Sequence, residues 1–160
     1  MIALQVENIK DFMNKLLLKP VFDRYRVSEA TITTFTTFSI DGQSHPEFFD
    51  PEEIAPQEEP QVSWESIRPF CLSVFKGKRL PLAFHFVLQL PQSEIPDFLS
   101  HNGLSLSAED VFGLFLNIQY RNEVLTVTTG TSLRVFTGNK SLDQAWDQTV
   151  RNFLAREELN

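Results

Sequence analysis

A chain of 160 residues, 42% hydrophobic and 22% charged, can bury one sizeable core and points to a single folded domain. Its 14 Lys and Arg against 21 Asp and Glu give a net charge of −7, and the whole excess lies between Arg26 and Arg68, where nine carboxylates meet no basic residue. Such a surface excludes polyanionic nucleic acid and anionic membranes as partners, and the single cysteine, Cys71, excludes an intramolecular disulfide or a multi-cysteine metal site.

Taken in chain order, Ile2 to Val6 reads as a short strand. Asn8 is placed to cap a helix on which Ile9, Phe12, Met13, Leu16 and Leu17 follow the helical period, ending before Pro20. Residues 26–40 are rich in Thr, Ile and Phe, which is strand chemistry. Asp41-Gly42 supplies a hairpin turn signal, with a return strand expected from Gln43 to Phe49. Phe35 and Phe38 break strict alternation, so a bulge or a strand buried on both faces is expected there.

Asp50 to Gln61 is rich in Pro and Glu and reads as a solvated acidic loop within the domain. Ser63 can cap a helix running to about Phe75, with Trp64, Ile67, Cys71, Val74 and Phe75 inward and Pro69 inside it. Lys76-Gly77-Lys78-Arg79 would close that helix with cations and a glycine. Leu80 to Leu90 alternates as a strand, and Ser93 opens a short helix closed by Asn102-Gly103. Leu114–Tyr120 and Val124–Thr128 form a hairpin through Arg121-Asn122-Glu123. A further strand over Thr131–Phe136 is either separate or a continuation past Gly130. Ser141 caps the last helix, whose stripe is Leu142, Ala145, Trp146, Thr149, Val150 and Phe153.

Two groups of residues invite a binding role. Lys76, Lys78 and Arg79, with Thr129, Gly130 and Thr131 in a hydroxyl-rich stretch, have the chemistry to hold a small phosphate-like anion if the fold brings them together. Helix capping and a strand glycine explain the same residues. Glu52, Glu53, Glu58 and Glu59 concentrate negative charge and could meet a cationic protein partner or a second copy of the chain. A calcium loop does not fit, because the acidic stretch has three prolines and no glycine. His45, His85 and His101 have no ligand-like spacing, and Cys71 sits in an apolar stripe. No cofactor and no catalytic residue is expected. With no basic leader ahead of an apolar core and no membrane-length apolar run, the expected setting is the cytoplasm.

Four stretches carry a resemblance: Ile32–Gly42, Arg68–Arg79, Gly113–Tyr120 and Thr128–Leu133. Together they resemble a family of uncharacterised bacterial proteins, a domain of unknown function found mainly in anaerobic Gram-positive bacteria. The resemblance spans nearly the whole chain and implies a single domain with no assigned activity. The element order predicts an α+β fold: a largely antiparallel sheet of five to seven strands packed against two to four helices. The expected function is a non-catalytic binding or assembly module. The alternative is a protein or enzyme acting on a small anion through the Lys76–Arg79 and Thr128–Ser132 segments.

Overall fold

Period-two alternation builds the sheet. Phe84, Phe86 and Leu88 of one strand, and Leu114, Leu116, Ile118 and Tyr120 of the next, are buried, while His85, Val87, Asn117 and Gln119 between them are half-buried or exposed. The computed structural model describes residues 1–53, 59–75 and 79–159. Its strands are β1 (Ala3–Val6), β2 (Arg26–Thr33), β3 (Thr37–Ile40), β4 (Ala83–Gln89), β5 (Val111–Arg121) and β6 (Val124–Leu133). Its helices are α1 (Ile9–Leu17), α2 (Trp64–Phe75), α3 (Ile95–His101) and α4 (Ser141–Arg156). All strand pairs are antiparallel, in the order β1-β6-β5-β4-β2-β3. The expected α+β class, with its antiparallel sheet and helices, is what the chain forms.

The helices cover one face of the sheet. Asn8 Oδ1 accepts the Asp11 amide at 3.0 Å and starts α1, which buries Phe12, Leu16 and Leu17. Ser63 Oγ accepts the Ser66 amide at 3.2 Å and starts α2, which runs on through Pro69. Two indoles pin helices to their neighbours. Trp64 Nε1 donates to the Leu16 carbonyl at 2.9 Å, and Trp146 Nε1 to the Phe115 carbonyl at 2.8 Å. Arg68 grips Asp23 with two bonds, at 3.0 and 2.8 Å, and ties α2 to the segment after α1.

The opposite face carries Gln5, Thr126, Gln119, His85, Thr31 and Ser39 in one cross-strand row. It is polar and part-exposed, as one face of an antiparallel sheet can be.

Several boundaries differ from expectation. The hairpin after β2 turns at Thr34–Thr36, not at Asp41-Gly42, so the return strand is residues 37–40 and not 43–49. Phe35 is therefore the tip of a turn and Phe38 lies on the edge; the irregular register falls instead between Val27 and Glu29. β4 begins at Ala83 rather than Leu80. β5 and β6 are longer than expected and continuous through Gly130, while Phe136 lies beyond β6, fully exposed. Asn122 and Glu123, both at positive φ, make the two-residue turn between them. The last helix is preceded by an Asn139 side chain that accepts the Ser141 amide at 2.9 Å, so Ser141 is not the cap. The closing Lys76-Gly77-Lys78 run lies outside the described residues.

Candidate functional site

The edge of the sheet at β3 combines unpaired backbone groups, an uncharged sequence and exposed aromatic rings. From Ala30 to Ile40 there is no charged residue. Thr34 N–H donates to the Thr36 carbonyl at 2.8 Å across the turn, in the same register that pairs Thr33 with Thr37 and Ile32 with Phe38. In an antiparallel ladder, hydrogen-bonded pairs alternate with pairs that are not. Thr34/Thr36 is bonded, so Thr33/Thr37 is not, and Ile32/Phe38 is bonded again. The Thr33 and Thr37 hydroxyls meet at 3.0 Å, as side chains do at a non-bonded pair. Phe38 and Ile40 therefore turn their backbone groups toward β2, while Thr37 and Ser39 turn theirs outward. No described segment pairs with that side.

Exposed apolar side chains gather at the turn end of the sheet. Phe35 is 91% exposed and Phe38 39%, with their rings edge to face at 6.0 Å. Leu82, 72% exposed, donates its amide to the Thr33 carbonyl and so stands at the same end of the sheet. Solvated aromatics beside an uncharged strand with free backbone groups are what a pairing partner covers, because soluble proteins otherwise blunt such edges with charge or proline.

The acidic residues divide. Glu52 and Glu53 are exposed, and Glu58 lies outside the described residues. Glu59 is a correction to the solvated-loop reading, since it is buried and its two oxygens accept the Gln92 and Ser93 amides, both at 2.9 Å. Burial opposes its charge, but the Ser93 hydroxyl and the two amides outweigh burial and hold the carboxyl below its ordinary value. A carboxylate so held adds stability above its unfolded pKa near 4.5, and that stability is lost as pH falls through the folded value. Glu59→Gln is expected to cost about 1–2 kcal/mol at pH 7. The gap to the parent should close on acidification below about pH 4.5, which urea unfolding at a series of pH values will measure.

Of the candidate anion-binding residues that are described, Arg79 stands apart from Thr129, Gly130 and Thr131. Lys76 and Lys78 lie outside the described residues, and Arg79 is exposed four residues ahead of Ala83, which pairs with Arg121. Thr129 pairs with Leu116, five residues further along β5, or about 17 Å at strand rise. Thr129 and Thr131 also face α4, where their hydroxyls donate to Asp147 and Asp143. Gly130 is a regular strand residue opposite Phe115. Carboxylates, not cations, meet these threonines, so the hydroxyl-rich stretch is a helix-to-sheet joint.

Other concave places are shallow. One groove of about 620 Å³ runs beside α1, lined by Asn8, Met13, Asn14, Leu17, Leu18 and Leu72. A mixed cleft of about 290 Å³ gathers Arg24, Glu94, Asp97, His101 and Thr149 with Leu90 and Phe98, and Arg24 is bonded to Glu94 at 2.9 Å. Burial pushes the Tyr25 hydroxyl up to about 12, despite nearby Arg24, and the buried Cys71 thiol to about 12. Neither is poised to ionise near neutrality. The three histidines are scattered: His45 beside Glu47, His85 on the open sheet face, and His101 at the end of α3. No group of three or more His, Cys, Asp or Glu side chains among the described residues could hold a metal ion. No helix there is long and apolar enough to cross a membrane.

The composition that predicts the β3 edge was present in the sequence as an uncharged Thr and Phe run. What hid it was the misplaced turn, which put Phe35 and Phe38 inside a longer strand. Residues 15–160 match the model of a family of unknown function, DUF5721, and the chain belongs to that family. No curated protein and no solved structure matches it.

Proposed function

We propose that this DUF5721 member is a protein-binding module that accepts an extended segment of a partner along the outer edge of β3. The observation that carries this reading is the outward pair Thr37 and Ser39, whose backbone groups meet no described segment in an uncharged strand beside exposed Phe35 and Phe38. Recognition by strand addition takes affinity from main-chain bonds and specificity from side chains at alternate positions. The fitting segment is extended, without negative charge, and apolar on the side that meets Phe38. The reading places the protein in the cytoplasm of a bacterium, in keeping with the sequence resemblance.

A proline at Ser39 tests it cleanly. The ring would remove an outward N–H and fill the pairing edge, while leaving the Phe38 and Ile40 bonds to β2 intact. A fluorescein-labelled peptide of alternating Val and Thr, titrated by anisotropy, should bind the parent chain and lose at least tenfold in affinity with Ser39→Pro. Equal binding to both, with matching thermal melts, rules the edge out.

A further inference from the structure

We infer that the strand accepted at this edge is β3 of a second copy, antiparallel, with Phe38 facing its own counterpart on a two-fold axis. This rests on the edge reading above and adds the partner and the register. An outward-facing residue can form ladder bonds only with an outward-facing residue of the other strand. Around a two-fold axis that leaves three registers, centred on Thr37, Phe38 or Ser39. Centring on Thr37 matches Ser39 with Phe35, which is the tip of the β2–β3 turn and not strand. Centring on Ser39 matches Thr37 with Asp41, which lies past the end of β3 and whose carboxylate already accepts the Gln43 amide. Centring on Phe38 matches Thr37 with Ser39 in both directions and satisfies every outward N–H and C=O of the two residues in four main-chain bonds.

Side-chain chemistry favours the same register. Phe38 then occupies the non-bonded position, where facing side chains come closest, with Cα atoms about 4.5 Å apart. Two half-exposed rings that solvate poorly on the single chain cover each other, with Phe35 of each copy alongside. Charge is the usual obstacle to pairing two chains of net −7, but no charged residue occurs from Ala30 to Ile40. The product is a continuous sheet across both copies. With only four residues of strand per copy the contact is small, so the association is of the weak, concentration-dependent kind.

Sedimentation equilibrium of the full chain over about 5–500 µM should show the mass rise from one copy toward two, the range in which small interfaces assemble. The rise should persist or grow between about 0.05 and 1 M NaCl, because an uncharged contact is not screened. Ser39→Pro should stay at the mass of one copy throughout. Phe38→Cys should form a disulfide-linked dimer under mild oxidant much faster than Phe35→Cys, the native Cys71 being buried. A parent chain that stays single while the Val/Thr peptide still binds overturns the self-partner and leaves the edge reading standing. Failure of both removes both. A dimer that dissolves in salt, survives Ser39→Pro, or cross-links equally at positions 35 and 38 assembles through another surface and overturns the inference.

Discussion

Trp64→Ala should remove about 4 kcal/mol of folding free energy, within the usual range for large-to-alanine changes at fully buried aromatic sites. Trp64 is 0% exposed, begins α2, packs against Phe86 at 5.1 Å between ring centroids, and donates to the Leu16 carbonyl at 2.9 Å. Three losses combine. The indole leaves a cavity between α1, α2 and the sheet. Its apolar surface is no longer removed from water. The Leu16 carbonyl, in the last turn of α1 where partners are scarce, is left buried without its donor. A domain with the common 5–15 kcal/mol of stability keeps its fold but loses a large part of its margin.

Trp64→Phe keeps one aromatic ring of the indole and loses the N–H together with the rest of the five-membered ring. Its cost should be about 2–3 kcal/mol, an orphaned buried acceptor plus a smaller cavity than alanine leaves. Urea unfolding of both variants at one pH checks the ordering; equal losses would mean that the hydrogen bond, not packing, fixes α2. By contrast Phe35→Ser, at a ring 91% exposed, should change stability by less than about 0.5 kcal/mol while weakening any contact at the β3 edge.

That contrast marks what sequence alone could and could not reveal. Trp64, Cys71, Trp146 and the α1 stripe were legible because helical periodicity reports which side chains share a face, and burial follows from sharing it. The alternation of β4 and of β5 and β6 was legible for the same reason at period two. The β2–β3 turn was not. Thr34-Phe35-Thr36 has no glycine, proline or asparagine, and each of its residues favours strand, so local propensity argued against a turn that tertiary pairing imposes. Glu59 was misread for a related reason. Composition marks a Pro- and Glu-rich run as solvated, but only the fold brings the Gln92 and Ser93 amides within reach of one of its carboxylates. Arg79 is separated from Thr129 and its neighbours by strand register, which no spacing along the chain encodes.

Gly42 carries the same lesson to a measurable end. Read as a hairpin glycine, it instead sits where the backbone crosses the irregular step in β2. At φ +73° it lies in the left-handed region, and a Cβ there would come within 2.0 Å of the Val27 carbonyl oxygen and 2.8 Å of its carbon. Neither neighbour is a side chain that can swing away. The Gly42 carbonyl accepts the Val62 amide at 2.9 Å, and the Val27 amide donates to Val62 at 2.8 Å, so displacing one strand disturbs the other. Gly103 supplies the control: it too has positive φ, +62°, but nothing lies within 4 Å of its missing Cβ. Gly103→Ala should cost only the conformational strain, about 1–2 kcal/mol. Gly42→Ala adds a backbone clash and should cost about 3 kcal/mol or more. The difference between the two, read from urea midpoints at constant slope, measures the close approach itself, and equal values would show that β2 yields there without penalty. Because Asp41-Gly42 follows directly on β3, the shift forced by alanine should also disorder the Ser39 end of the pairing edge. Gly42→Ala should therefore weaken self-association more than Gly103→Ala, at concentrations where both remain folded.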